Sequence, residues 1–194
     1  MIKSILIVGV GGQGTLLASK LLGSALVASG HDVKVSEVHG MSQRGGSVVT
    51  YVRYADEGEE VQSPIINEGE ADVILSFELL EAARYLPYLR KGGLVITNSQ
   101  QIDPMPVITG AAVYPENLEE KIESKGVNLI SLDALTLAEQ SGSSKAVNLV
   151  LLGVLSKHMD ISDEIWSGAI EEGVPAQFLT MNKTAFELGV DACF

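Results

Sequence analysis

Residues 2–14 constrain this chain more than any other stretch. An apolar run rich in β-branched residues, Ile5-Leu6-Ile7-Val8, leads straight into Gly9-Val10-Gly11-Gly12-Gln13-Gly14. A short apolar run bounded by glycine predicts a strand buried on both faces, as in a parallel sheet. Beyond it, Leu16, Leu17, Leu21, Leu22, Ala25 and Leu26 recur at helical spacing, and Gly30 is a natural stop. Strand, glycine turn and helix together predict a phosphate-type turn. In such a turn the first glycine, Gly9, permits the tight bend. The second, Gly11, lets backbone approach a phosphate, and the third, Gly14, lets helix and strand pack closely. The helix start adds unpaired N–H groups and a positive dipole end. By itself G-x-G-x-x-G leaves the occupant open between a phosphate or nucleotide and nothing at all.

Lys3 before an apolar stretch, with small residues at Ala25 to Ala28, imitates a signal peptide. Gly9 to Gly14 break that stretch, and Lys20 falls where it would have to continue. No window holds the long uncharged run that a membrane span requires.

His31 to Glu37 reads as a second strand, completing a β-α-β unit whose crossover should be right-handed. Ser47 to Tyr54 alternates toward a strand. Val61 to Ile66 reads as a short strand or extended edge, with Pro64 favouring an edge. Asp72 to Phe77 is another buried strand, followed by a helix over 78–86 that Pro87 and Gly92-Gly93 end. Leu94 to Asn98 is a strand, and a short one is expected at Val107 to Val113 among Pro104, Pro106 and Pro115. Helix 116–125, strand 127–132 and helix 134–141 come next, then helices near 145–158, 162–171 and 176–189. The expected architecture is α/β and Rossmann-like. It has a doubly wound, mostly parallel sheet, flanking helices and a helical C-terminal third, in one domain over residues 1–194.

The chain has 25 Asp and Glu against 13 Lys and Arg, a net charge of −12. Nucleic-acid and anionic-membrane binding need clustered cations, so both are excluded as expectations. A small anionic ligand needs only a local pocket and is not excluded. The single cysteine, Cys193, cannot form an internal disulfide or hold a zinc site or an iron–sulfur cluster. The expected setting is the reducing cytoplasm.

After the second strand comes His39-Gly40-Met41-Ser42-Gln43-Arg44-Gly45-Gly46, with three glycines in eight residues. It should lie on the same carboxyl edge of the sheet as the glycine turn, where open α/β sheets bind ligands. Arg44 can grip a phosphate or carboxylate bidentately. Ser42, Gln43 and His39 add hydrogen-bonding groups, and Gly40, Gly45 and Gly46 permit close approach. Arg44 and Met41 equally suit a contact with a protein partner. Glu37 ends the second strand where dinucleotide folds place a ribose-binding acid. The candidate binding set is therefore Gly9, Gly11, Gly12, Gln13 and Gly14 together with Glu37 and the whole of His39 to Gly46.

There is no G-x-x-x-x-G-K-[ST], no nucleophile elbow, no credible Ser-His-Asp set and no metal-ligand spacing. Glu57 to Glu60 and Glu119-Glu120 read as solvated faces. His31 is in a turn and His158 ends a helix, so hydride chemistry for a nicotinamide enzyme has no convincing partner beyond His39. No catalytic residue and no metal ligand is expected.

The two loops together, Gly-Val-Gly-Gly-Gln-Gly at 9–14 and Glu-Val-His-Gly-Met-Ser-Gln-Arg-Gly-Gly-Ser-Val at 37–48, resemble the gamma-type subunits of 2-oxoacid:ferredoxin oxidoreductases. The nearest branch is the beta-type subunit of the indolepyruvate enzymes. Asp72, Glu78, Gly92-Gly93, Asn148 to Gly153, and Asn182, Ala185, Phe186 and Gly189 fit the same pattern, so the likeness covers the chain. The resemblance implies oxidative decarboxylation of a 2-oxoacid, an aryl pyruvate such as indolepyruvate, with coenzyme A as cosubstrate. The product is an acyl-CoA and the electrons go to ferredoxin. It places thiamine diphosphate and iron–sulfur clusters on a large alpha subunit and implies that this chain alone holds no cofactor and is inactive. Pyruvate, 2-oxoglutarate and branched-chain 2-oxoacids are alternative substrates, and a free-standing NAD(P)-binding protein is the alternative from the turn alone.

Overall fold

Alternation along the first strand sets the two faces of the sheet. In β1 (Ile2–Val10), Ile5 and Ile7 point to one core and Leu6 and Val8 to the other. The computed structural model describes residues 1–39, 45–56 and 58–192, with His39 described by its backbone alone. The further strands are β2 (Asp32–His39), β3 (Ser47–Ala55), β4 (Ala71–Ser76), β5 (Leu89–Asn98) and β6 (Asn128–Leu132). They form one six-stranded sheet in the order β2-β3-β1-β4-β5-β6. β1, β4, β5 and β6 pair in parallel, and β3 runs antiparallel to both β1 and β2.

One face is covered by α1 (Thr15–Ala28). Behind it lie α5 (Ala134–Ser141), α6 (Val147–Ser156), α7 (Asp163–Gly173) and α8 (Leu179–Asp191). The other face carries α2 (Leu79–Tyr85) and α4 (Leu118–Glu123), packed on Ile74 and Val95. α3 (Met105–Ile108) is a single turn beyond β5. All ten residues of α6 are buried, which fits its unbroken run Val147-Asn148-Leu149-Val150-Leu151-Leu152. Trp166 of α7 meets Phe186 of α8 with ring centroids 5.5 Å apart.

The doubly wound α/β architecture and the helical last third are as the sequence predicts. The β-α-β unit is present, with β2 parallel to β1, but the two strands do not pair, and three other local expectations are corrected. β3 enters between them and pairs with β1 from Ile2↔Ala55 to Val10↔Ser47. Val61 to Ile66 forms no strand, because side chains take its backbone groups. Val61 N donates to Asp32 Oδ2 at 2.7 Å, and Arg53 donates to the carbonyls of Ser63 and Ile65 at 3.2 and 3.0 Å. Val107 to Val113 is not a strand either. Pro104 precedes the turn Met105–Ile108 as its extended cap, Pro106 fixes a helical φ in its first turn, and Thr109 Oγ1 closes it on Met105 O. Finally, Gly92-Gly93 lies inside β5 and makes a bulge, where Ala71 pairs with Leu89 but Val73 with Leu94. Gly92 has φ 76°, and a Cβ on Gly93 would lie 2.9 Å from Leu89 Cγ.

Candidate functional site

The glycine turn is held by one side chain, Gln13. Its Oε1 accepts from Val10 N at 2.7 Å and its Nε2 donates to Phe77 O at 2.9 Å. Phe77 N in turn donates to Val8 O at 2.9 Å. Gln13 therefore ties the end of β1 to the end of β4, where the sheet order reverses and open α/β folds form their crevice. The glycines divide their work differently from the expectation. Gly12 and Gly14 carry the positive φ values, 105° and 87°. Gly9 supplies close packing, since a Cβ there would lie 2.9 Å from Phe77 Cβ. Gly14 makes room for Asn148 of α6, whose Nδ2 would lie 2.9 Å from a Cβ at that position.

The second loop returns to the turn, as its place after β2 predicts. Gly11 N donates to Gly46 O at 2.8 Å, and Gly45 N to Gly11 O at 3.3 Å. Gly9, Gly11, Gly12, Gln13, Gly14, Gly45 and Gly46 thus share the carboxyl edge of the sheet. His39 reaches that edge through its backbone at the end of β2, paired with Val48. Gly40, Met41, Ser42, Gln43 and Arg44 lie outside the described residues. Glu37 lines an open cleft of about 480 Å³ with Gly11, Gly12, Gly14, Thr15 and Leu16. It does so across β3, so it stands two strand spacings from β1, roughly 9–10 Å, where a β1–β2 pair would leave roughly 5 Å. That is not the spacing by which a dinucleotide fold sets its ribose acid.

The sequence reading names Asn148 and Glu78 only as part of the family pattern, without a role, and the structure places each in a grouping. On the far side of the turn a cavity of about 740 Å³ is walled by Gly12, Gln13 and Gly14 and by Ser144, Lys145 and Asn148. Asn148 is the only amide in a buried helix that is apolar up to its last residue, Ser156, and that is the signal that could have found its role. The other grouping lies beneath Gly45 and Ser47, where Glu78 and Glu81 line a small hollow. Both are buried, at 1% and 4% exposure. Glu78 accepts from Glu81 N at 2.9 Å, Ile102 N at 3.1 Å and Tyr114 Oη–H at 2.5 Å, and so caps α2 and anchors the segment after β5. Glu81 accepts from the Ser47 hydroxyl and from Arg84 Nε, the latter at 3.1 Å. A buried carboxylate with several donors is satisfied, and these two act as struts under the loop. Among the described residues, no group of three or more His, Cys, Asp or Glu is placed to hold a metal ion. Nor is any helix among them long and apolar enough to cross a membrane.

Residues 4–192 match the family described as pyruvate ferredoxin/flavodoxin oxidoreductase. The chain belongs to this family. Among relatives of the family chain, the indolepyruvate oxidoreductase subunit IorB of Thermococcus kodakarensis is 46% identical, over 97% of this chain and 95% of that one. The corresponding subunit of Archaeoglobus fulgidus is 40% identical, over 96% and 92%. The fold of the family chain also matches pyruvate oxidoreductase subunit PORC of Thermotoga maritima, with TM-score 0.73 and 22% identity over 98% and 96% of the two chains. It matches the 2-oxoglutarate:ferredoxin oxidoreductase of Magnetococcus marinus with TM-score 0.77 and 19% identity. There it covers 98% of this chain but 31% of the longer one.

In this family member the Glu78 strut has a consequence at high pH. Burial first, and then the hydrogen bond and charge of Glu78, push the Tyr114 hydroxyl well above its ordinary value. Burial alone leads the rise of Tyr54 to about 12. A tyrosine raised in the folded state contributes stability below its unfolded value, near 10, and loses it as pH rises through the folded value. Stability should therefore decline as pH passes about 10, and Tyr114→Phe should flatten part of that decline. Denaturant melts between pH 8 and 11 check this, and an unchanged slope in Tyr114→Phe refutes it.

Proposed function

We propose that this chain is the smaller, accessory subunit of an indolepyruvate:ferredoxin oxidoreductase. The enzyme cleaves the carboxyl group of an aryl 2-oxoacid as carbon dioxide, transfers the acyl group to coenzyme A, and passes the electron pair to ferredoxin. The observation that carries this reading is the near full-length likeness to IorB subunits, at 46% identity. The Magnetococcus marinus enzyme holds bound 2-oxoglutarate, coenzyme A and succinyl-CoA, and its chain is about three times the length that this fold covers. That supports a larger partner subunit, which on this reading holds the thiamine diphosphate and iron–sulfur clusters. Thiamine diphosphate supplies the carbanion chemistry of decarboxylation. This chain's own part is to shape the crevice at the carboxyl edge, bind a phosphate-bearing cosubstrate there, and dock on the partner. Exposed apolar side chains stand around that edge, with Leu16 at 63%, Val38 at 49% and Met105 at 62% exposure. Such residues fit a protein contact.

The reading is tested by co-expressing the chain with a large thiamine-diphosphate and cysteine-cluster subunit and measuring coenzyme A-dependent viologen reduction. Indolepyruvate is expected to be turned over faster than pyruvate, 2-oxoglutarate or a branched-chain 2-oxoacid, and only when this chain is present. Equal activity with and without it overturns the proposal. In the same assay Arg44→Ala should lose about 1.5–3 kcal/mol, the loss of one charge-assisted contact to a bound anion or partner, with little change in melting temperature. A lowered melting temperature with full activity would be the opposite of that expectation.

A further inference from the structure

The bulge in β5 carries Arg90 and Lys91 at the amino edge of the sheet, roughly 20 Å from the glycine turn by the length of six-residue β4. Beside them the turn that leads into β6 carries Lys125, and the three cations rim an open hollow of about 580 Å³. The fold holds this rim in place. Gly92 at φ 76° and Gly126 at φ 72° turn the two loops. Asn128 ties them together, its Nδ2 donating to the carbonyls of Gly92 and Gly93 at 3.3 and 3.4 Å. Arg90 Nε donates to Asp72 Oδ1 at 2.6 Å, and Asp72 Oδ2 accepts from Ser4 N at 2.8 Å, so the guanidinium is pinned to the start of β1. Lys91 and Lys125 are exposed and enter no ion pair among the described residues. None of the described residues that line the hollow is an acid. Glu70 is occupied by Asn67, and Glu123 stands exposed at the end of α4.

Leu86, Pro87 and Val127 lie between the cations. An apolar middle inside a charged rim is how protein interfaces are arranged. The charge says what fits. With 25 acids against 13 bases, most of this surface repels an acidic partner. Such a partner is drawn to a place where cations gather without acids.

We propose that this hollow docks an acidic segment of the larger subunit, with an apolar side chain on Leu86, Pro87 and Val127 and carboxylates against Arg90, Lys91 and Lys125. That the segment belongs to the larger subunit rests on the function proposed above. An electron acceptor fits less well, because on that function the clusters lie in the larger subunit, and electron-transfer contacts are small. Mass photometry of the co-expressed complex, diluted at low and high salt, tests the docking. At low salt Lys91→Glu and Lys125→Glu should each weaken subunit association roughly fivefold, and the double variant roughly twentyfold or more. The loss should shrink at about 0.5 M salt, since exposed charges are screened. Lys157→Glu makes the same charge change at the end of α6 and should leave association within about twofold. Both lysines are exposed on turns, so the isolated variants should melt with the wild type. Losses no larger than that of Lys157→Glu overturn the docking alone. Unchanged association with a raised KM for ferredoxin also overturns it, and gives the hollow to the acceptor instead. A wild-type complex that shows the expected lysine and salt pattern but oxidises no 2-oxoacid would sink the oxidoreductase reading and keep the surface. A wild-type chain that joins no thiamine-diphosphate subunit overturns both.

Discussion

Gly189→Ala is expected to destabilise the folded chain by about 3 kcal/mol or more, and so to lower its melting temperature by about 6–12 °C. Gly189 of α8 and Gly153 of α6 face each other's helices with backbone against backbone. A Cβ on Gly189 would land on the carbonyl oxygen of Val150 and lie 2.8 Å from its carbonyl carbon. A Cβ on Gly153 would land on the carbonyl oxygen of Phe186 and lie 2.9 Å from Val190 N. A flexible side chain can turn aside from such an intruder, but backbone inside two helices cannot. The methyl group therefore has to push α6 and α8 apart in the larger core. Helix propensity works the other way, favouring alanine by up to about 1 kcal/mol, and it is the smaller effect. Gly168→Ala in α7 isolates it, because a Cβ there meets nothing within 4 Å. That variant should be neutral or stabilised by about 0.4–1 kcal/mol. Thermal melts of the two variants decide the matter. A Gly189→Ala melt within a degree or so of the wild type would show that the helices are not held this closely. The effect reaches the candidate site, because α6 carries Asn148 and α8 fixes how α6 lies.

The family likeness of Gly153 and Gly189 was visible in the sequence, but their contact was not, because it joins residues that periodicity treats separately. The same limit explains β2. Its apolar run, the helix before it and the glycine turn read locally as one β-α-β unit, and each piece is present. Only the long-range pairing of Ser47 to Ala55 with both β1 and β2 shows that β3 separates them. That one strand moves Glu37 outward and removes the geometric basis for a dinucleotide reading, although the glycine spacing survives. Within the turn, the pattern showed that glycine was required but not why. The positive φ falls at Gly12 and Gly14, and Gly9 is needed for Phe77. Phe77 and Asn148 are remote in sequence, so no spacing rule could have assigned those roles. The joining of the two loops was legible, because both follow parallel strands and must emerge at one edge.

Gln13→Glu should cost about 3 kcal/mol at neutral pH and be largely rescued by acid. One oxygen of the new carboxylate would still accept from Val10 N. The other would face the Phe77 carbonyl, to which Gln13 now donates at 2.9 Å. A broken bond with two acceptors in contact costs more than the start of α1 returns, since a helix end favours a nearby carboxylate by only about 0.3–1 kcal/mol. The introduced group should therefore have a folded pKa above the unfolded value of about 4.3, because only its protonated form can donate to Phe77 O. The variant's stability relative to the wild type is then best below about pH 4.3 and falls as pH rises through the folded value. Gln13→Leu loses both bonds without adding a charge, so its deficit should not vary with pH. Urea melts of both variants across pH 4–8 separate these outcomes, and a flat profile for Gln13→Glu would mean that Phe77 O has turned away from the new side chain. The functional consequence follows from where Gln13 sits. It closes the seam between β1 and β4 beneath both clefts, so loosening it should disturb the walls of both. The turn thus keeps its shape because the side chain of Gln13 is occupied by the fold.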